Sequence, residues 1–155
     1  MIRTPADFSE VFVARRVLEV SVLPLAVAHA SHEHFRRMDA ANRLMEAEIE
    51  VAGSPVDGDM AFHRALLAAA NNSFLEQFGE VIQEFFRDPR AHLFVDAEMA
   101  RQTVEEHREI AEAIRAGDLP RAQRVLEKHL DRYVHRGLVQ TSSPEESTEA
   151  RHDVA

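Results

Sequence analysis

The chain has 155 residues, a 45% hydrophobic content and a formal net charge of −9. This suits one domain of ordinary size with enough apolar side chains for a core. The acidic balance and a lone lysine, Lys128, argue against direct nucleic-acid contact, which needs clustered cations to neutralise phosphates. The absence of cysteine excludes a disulfide framework, a thiolate metal site and a thiol nucleophile. Met1 to Glu10 lacks the basic and apolar regions of a signal peptide. The most apolar run, Val20 to Ala30, is too short to span a bilayer and contains Pro24 and His29. A cytoplasmic chain that does not enter a membrane is expected.

Helical periodicity runs from about Pro5 to Ala30, with Phe12, Leu18, Val22, Leu23 and Ala26 recurring among Arg15, Arg16 and Glu19. Pro24 lies inside this stretch, removes one backbone donor and predicts a bend. Ser31 is a natural N-cap for a second helix carrying Phe35, Met38, Leu44, Met45 and Ile49, which ends near Gly53. Ser54-Pro-Val-Asp-Gly58 reads as a turn, with Ser54 or Asp57 able to cap a third helix from about Asp57 to Ala70. After Asn71-Asn-Ser73, the residues Phe74, Leu75, Phe78, Val81, Ile82, Phe85 and Phe86 mark a fourth helix and predict an aromatic core there. A loop opens at Asp88-Pro89. The fifth helix, from about Ala97 to Ala116, is closed by Gly117, and the sixth opens at Asp118-Leu-Pro120. No strand alternation or repeat occurs, so the expected fold is all-α, an antiparallel bundle of about six helices. Residues 1–139 form the domain on this reading. Residues 140–155, rich in Ser, Thr and Glu without apolar period, form a disordered tail.

The chemistry concentrates in Asp59-Met-Ala-Phe-His63. An acid and a histidine four residues apart share one helix face, and Phe62, Leu66, Leu67 and Ala70 make that side apolar. His107 and His129 fall on the inward stripes of the fifth and sixth helices. Any one of these is explained as a core histidine with one hydrogen bond. Burying three imidazoles and a carboxylate together is costly without a partner, and a divalent cation supplies one. Such a donor set suits zinc, nickel, manganese or a similar metal. The other histidines carry less: His29, His32 and His34 straddle the first helix junction as a solvated group, and His92, His135 and His152 read as loop, surface and tail. Arg15 is a surface guanidinium in the plainest reading. Facing inward, it would pair with a carboxylate ligand, and a divalent metal with one Asp ligand keeps a net positive charge that favours an anionic guest.

These residues resemble a known family. Arg15-Arg-Val-Leu-Glu19, Asp59-Met-Ala-Phe-His63 with Asn72 nine residues on, and His107-Arg-Glu-Ile110 followed by Ala113-Ile-Arg-Ala-Gly-Asp118, Ala122 and His129-Leu130 are similar to the ordered blocks of the FadR C-terminal (FCD) domain. FCD is the effector-binding domain of GntR-family bacterial transcription regulators, and the likeness spans about Phe8 to Leu138. The resemblance implies an antiparallel helical bundle and metal ligation by Asp59, His63, His107 and His129, with zinc as the leading ion and nickel or manganese as others. It also implies contact of Arg15 with a small carboxylate effector, a place for Asn72 at the pocket edge or helix junction, and a homodimer. Family regulators carry a winged helix-turn-helix segment before this domain, and nothing like it precedes Pro5 here. That departure keeps a second function open, a stand-alone metal-dependent lyase, hydrolase or isomerase acting on a small carboxylate, in which Glu19 would be a base unless it lies exposed on its helix. A third reading is a bundle that binds partners only, its histidines being plain core residues.

Overall fold

In the computed structural model, residues 5–52, 55–88 and 95–141 are described. They form six helices: α1 (Pro5–His29), α2 (His32–Ala52), α3 (Val56–Ala69), α4 (Ser73–Phe85), α5 (Ala97–Arg115) and α6 (Leu119–Thr141). No strand occurs among the described residues. The consecutive pairs α2–α3, α3–α4 and α5–α6 pack on one another. α2 packs on α3 and α5, α5 on α6, and α1 lies against α6, α3 and α4. The expected all-α six-helix bundle is therefore the fold. Of the expected tail, Gln140 and Thr141 belong to α6, and 142–155 lie outside the described residues.

The helix boundaries follow local chemistry. Ser31 Oγ accepts from the His34 N–H (3.5 Å), while the Ser31 N–H donates to His34 Nδ1 (3.0 Å). This is the reciprocal pairing of a capping box, with histidine in the place usually held by Glu. Asn72 caps α4, its Oδ1 accepting from the N–H groups of Phe74 (3.1 Å) and Leu75 (3.2 Å). At the end of α5, Gly117 takes φ of 71°. The Asp118 N–H reaches the Ala113 carbonyl and the Gly117 N–H that of Ile114, a Schellman ending that only a residue tolerant of positive φ closes cheaply. α1 runs unbroken through Pro24, whose ring lies on the exposed side.

The start of α3 departs from the sequence reading. Asp57 lies inside the helix, Pro55 holds the N-cap position, and Pro55 offers no side-chain acceptor. The Glu48 carboxylate of α2 instead accepts from the N–H groups of Asp57 (3.0 Å) and Gly58 (2.8 Å). An anion on these free donors satisfies them and complements the positive helix end. Ser54, the other expected cap, lies outside the described residues.

Two clusters make up most of the interior, with a third and smallest of Val22, Leu67 and Ala70. The larger joins Leu23, Met38, Phe62, Leu66, Ile110, Ile114, Leu126 and Leu130 from α1, α2, α3, α5 and α6. The smaller joins Phe12, Phe86, Met99 and Tyr133. The expected aromatic core of α4 is only partly present. Phe74 (73%), Phe78 (64%) and Val81 (63%) are exposed, because α4 packs mainly on α3 and α1 and fully buries only Gly79 and Gln83, with Phe86 at its C-cap. Leu44 of α2 is likewise exposed.

The α2–α3 hairpin is close enough to require glycine. A Cβ on Gly58 would lie 2.5 Å from the Met45 backbone nitrogen and 2.9 Å from the Ala41 carbonyl oxygen. Backbone cannot move aside as a side chain can. Gly58→Ala is therefore expected to cost about 1–3 kcal/mol, read as a lower thermal midpoint. An unchanged midpoint would show that the two helices can separate freely.

Candidate metal centre

Four helices each bring a polar side chain to the boundary between the two larger apolar clusters. α3 supplies Asp59 and His63, one turn apart, α5 supplies His107, α6 supplies His129, and α1 supplies Arg15 and Glu19. All six are buried, the three histidines completely. The sequence expectation for Asp59, His63, His107 and His129 was that they meet, and one donor atom from each lies within 4.8 Å of the others. His107 Nε2 and His129 Nε2 stand 3.2 Å and 3.3 Å from His63 Nε2. Asp59 Oδ1 is 3.5 Å from both His63 Nε2 and His107 Nε2. These are electrostatic approaches and not hydrogen bonds, and Oδ1 is buried without a hydrogen-bond partner.

What faces the other ring nitrogens gives this convergence its meaning. His63 Nδ1 is 2.5 Å from Glu19 Oε2. His129 Nδ1 is 2.9 Å from Glu106 Oε2. A carboxylate only accepts, so each Nδ1 carries the proton and donates it. In the neutral ring Nε2 is then a bare lone pair. Two such lone pairs about 3.3 Å apart, with a carboxylate oxygen beside them, repel unless a proton or a metal cation lies between. Metal–nitrogen bonds of about 2.0–2.1 Å at a tetrahedral centre would separate two nitrogens by about 3.3–3.4 Å. The donor atoms present therefore fit a divalent ion, and the cluster could hold one. His107 is fixed differently. Its ring lies flat on Phe62, with centroids 3.8 Å apart and planes 6° from parallel, and its Nδ1 has no hydrogen-bond partner.

Arg15 is not on the surface. Its Nε donates to Glu19 Oε1 (3.0 Å), one of its terminal nitrogens donates to Asp59 Oδ2 (3.4 Å), and the guanidinium carbon sits 4.5 Å from the centre of the Phe86 ring. It forks between two carboxylates, where the sequence reading considered one. Glu19 is the residue that reading undervalued. Exposure was its plain explanation, yet it is 1% exposed and bridges Arg15 to His63. Its spacing of four from Arg15 was the available signal. Arg16, next along α1, is the partly exposed one of the two and pairs with Asp131 of α6. Asn72, by contrast, is exposed at the α3–α4 junction, and the fold does not bring it to the cluster. His29, His32 and His135 are exposed and stand apart from the site, while His92 and His152 lie outside the described residues.

A second polar chain backs His129. Arg132 holds Glu106 with both terminal nitrogens and also donates to Thr103 Oγ1 (3.2 Å). Thr103 in turn meets the Tyr133 hydroxyl at 3.0 Å. Neither Glu106 nor Arg132 stood out in the sequence, because a Glu beside a His on an acidic helix reads as solvated surface.

These pairings set the ionisation states. Burial alone would raise Asp59 and Glu19, but His63 and Arg15 outweigh it and hold both below their ordinary values, Asp59 well below. Burial depresses His107 far below the ordinary histidine value, and the neighbouring imidazoles add to this. Burial also lowers His129, against the pull of Glu106. His63 moves the other way. Burial and Arg15 press it down, yet Glu19 and Asp59 raise it overall. In metal-free protein, His107 and His129 thus contribute stability that is present above about pH 6.5 and lost as pH falls from there toward their depressed values. His63 contributes stability that is complete below that pH and lost as pH rises through its raised value. With two depressed groups against one raised, the chelator-treated protein should melt lower at pH 5 than at pH 6.5. His107→Gln should flatten that fall, and a midpoint insensitive to pH over this interval would contradict the assignment.

Comparison with known proteins places the chain in a family. The model for the FCD domain matches residues 10–132, and the chain belongs to that family, the effector-binding domain of GntR-family transcription regulators. It is 30% identical over 136 residues to the Uxu operon transcriptional regulator of Escherichia coli (strain K12), covering 83% of this chain and 53% of that protein. It is 28% identical over 130 residues to the HTH-type transcriptional regulator LutR of Bacillus subtilis (strain 168), covering 80% and 59%. The chain thus spans little more than half the length of these curated relatives. Among solved structures, Streptococcus agalactiae GntR superposes with a TM-score of 0.67 at 22% identity, over 83% of this chain and 57% of that one. Lar, which controls expression of the Listeria monocytogenes agr system, superposes with a TM-score of 0.76 at 13% identity, over 89% and 66%. At these identities the likeness establishes the fold alone.

Proposed function

We propose that this domain holds a divalent metal ion through Asp59, His63, His107 and His129, and that the loaded centre, with Arg15, receives a small organic acid whose binding regulates transcription. The observation that carries this reading is the convergence of three Nε2 atoms on one point while carboxylates hold the Nδ1 atoms of two of the rings. Zinc is the ion proposed, since three imidazoles and one carboxylate suit its preferred tetrahedral set, with nickel and manganese as its competitors. When bound, the ion would supply a positive charge and a coordination position for a carboxylate oxygen.

The chain's own residues define what such a guest meets. Arg15 and Arg132 balance two of the three carboxylates Glu19, Asp59 and Glu106. The one left over is less than a dication's charge, so the loaded centre is net positive and favours an anion. Arg15 is already shared between Glu19 and Asp59, and the whole group is buried. An acid can engage Arg15 only by loosening one of those pairings. Because the pairings join α1 to α3, occupancy is coupled to how these helices pack. A ligand regulates only through different affinities for two such packings. No helix among the described residues is long and apolar enough to cross a membrane, and a regulator of this class would work in the cytoplasm. Asn72 enters the proposal only as the cap that shapes the α3–α4 turn.

Purified protein is expected to carry one metal per chain by elemental analysis, and His107→Ala to lose it. With free metal about a thousandfold above Kd, stabilisation of the wild type would be about 4 kcal/mol. A panel of small carboxylic acids should contain members that raise the melting midpoint further in loaded protein and fail to do so after chelation. A metal-free, acid-indifferent protein would refute the proposal.

The homodimer belongs to this proposal as well. Phe74, Phe78 and Val81 form one exposed stripe on α4, and Val13 and Val17 are exposed on the neighbouring α1. Contiguous large apolar side chains of this kind mark association surfaces. Sedimentation is expected to show a dimer that Phe78→Glu converts to monomer, and a monomeric wild type at high concentration would exclude it.

A further inference from the structure

Four residues account for the metal donors, yet two carboxylates outside that set make the shortest contacts to the rings. Glu19 and Glu106 come from different helices and reach different histidines, in the same way. Each places one carboxylate oxygen on an Nδ1, at 2.5 Å for His63 and 2.9 Å for His129. Each keeps its second oxygen on an arginine, Arg15 for Glu19 and Arg132 for Glu106. The arginine fixes the carboxylate, and the carboxylate fixes the ring. A neutral imidazole has two tautomers, and only the one protonated at Nδ1 leaves Nε2 free to coordinate. An imidazole held in this way is also oriented and made more basic.

We propose that Glu19 and Glu106 are positioning residues of the metal centre, each locked by its arginine and each holding one histidine in the Nδ1–H tautomer with Nε2 presented to the ion. His107 lacks such a carboxylate and is held by its stack on Phe62. The centre therefore has two ligands set by hydrogen bonds and one set by packing. Glu19 has a double role, since its Arg15 partner is the group proposed to meet the acid. Drawing Arg15 toward a guest would alter the hold on His63, which makes metal and acid affinities interdependent. The inference rests on the metal-binding reading above.

The test uses the full chain and zinc. Zinc affinity is measured by competition with a chromophoric chelator, and ring tautomers by long-range proton–nitrogen NMR of zinc-loaded protein. Glu106 is the safer position to vary, because Arg132 is partly exposed and can turn to water. Glu106→Ala is expected to weaken zinc binding about 10–100-fold, with Glu106→Gln, which retains an accepting oxygen, recovering most of the loss. Glu19→Gln should weaken it as well, since its amide nitrogen would face the Arg15 donor. In wild type, His63 and His129 should both carry the proton on Nδ1. Zinc-loaded protein with the proton on Nε2 of either ring would overturn the inference, as would a folded Glu106→Ala that binds zinc as tightly as wild type. A wild type that takes up no zinc, nickel or manganese fails differently: it removes the metal reading and this inference together.

Discussion

Mutual neutralisation at the centre of the bundle is the constraint on which the rest of this structure depends. Arg15, Glu19 and Asp59 are each almost fully buried, beside three completely buried imidazoles. An isolated charge in that position would be too costly to keep. Glu19 makes the arrangement tolerable by meeting Arg15 with one oxygen and His63 with the other, while Arg15 extends to Asp59. Removing one partner would strand another. The polar groups must therefore arrive together, which fixes the register of α1 against α3 as firmly as the apolar core does.

The helix packing serves that requirement. Gly58 lets α3 approach α2 at backbone distance, and Glu48 closes the helix end that this approach exposes. Asp59 and His63 follow directly, so their depth is set by the hairpin rather than by their own interactions. On the far side, Arg132, Thr103 and Tyr133 tie α5 to α6 around Glu106. The site thus lies between two rigid pairings, with its polar groups forming the seam. A change at the seam has few ways to relax except by shifting one pair of helices on another.

Much of this was legible in the chain because helices announce themselves locally. Ser31, Asn72, Gly117 and the 3.6-residue period placed the six helices to within a residue or two of their observed ends. The inward stripes picked out Asp59, His63, His107 and His129 for the same reason, since period alone tells which side of a helix is apolar. The exceptions share a cause. Asp57 was a plausible cap by type, but Glu48 from another helix does the capping. Phe74 and Phe78 look like core, yet no helix among the described residues covers that side of α4. Glu19 and Glu106 look like solvated acids, and only their arginine and histidine partners, 4 to 44 residues away in sequence, make them interior.

The sequence by itself determined the all-α class, the order and extent of the helices, and the set of donor atoms available for a metal. These follow from residue type and spacing along one helix, which the chain carries without reference to its partners. Tertiary structure alone decided that three Nε2 atoms face one another, that Arg15 forks between two carboxylates, and that Asp59 Oδ1 is left without a hydrogen bond. Those facts depend on the rotation and depth of one helix relative to another. A shift of one residue turns a helical side chain by about 100° and moves it about 1.5 Å along the axis, enough to part a donor from the ion it would hold. The Asp59–His63 pair thus brought two donor groups to one face, and packing against α1, α5 and α6 made that face a cluster.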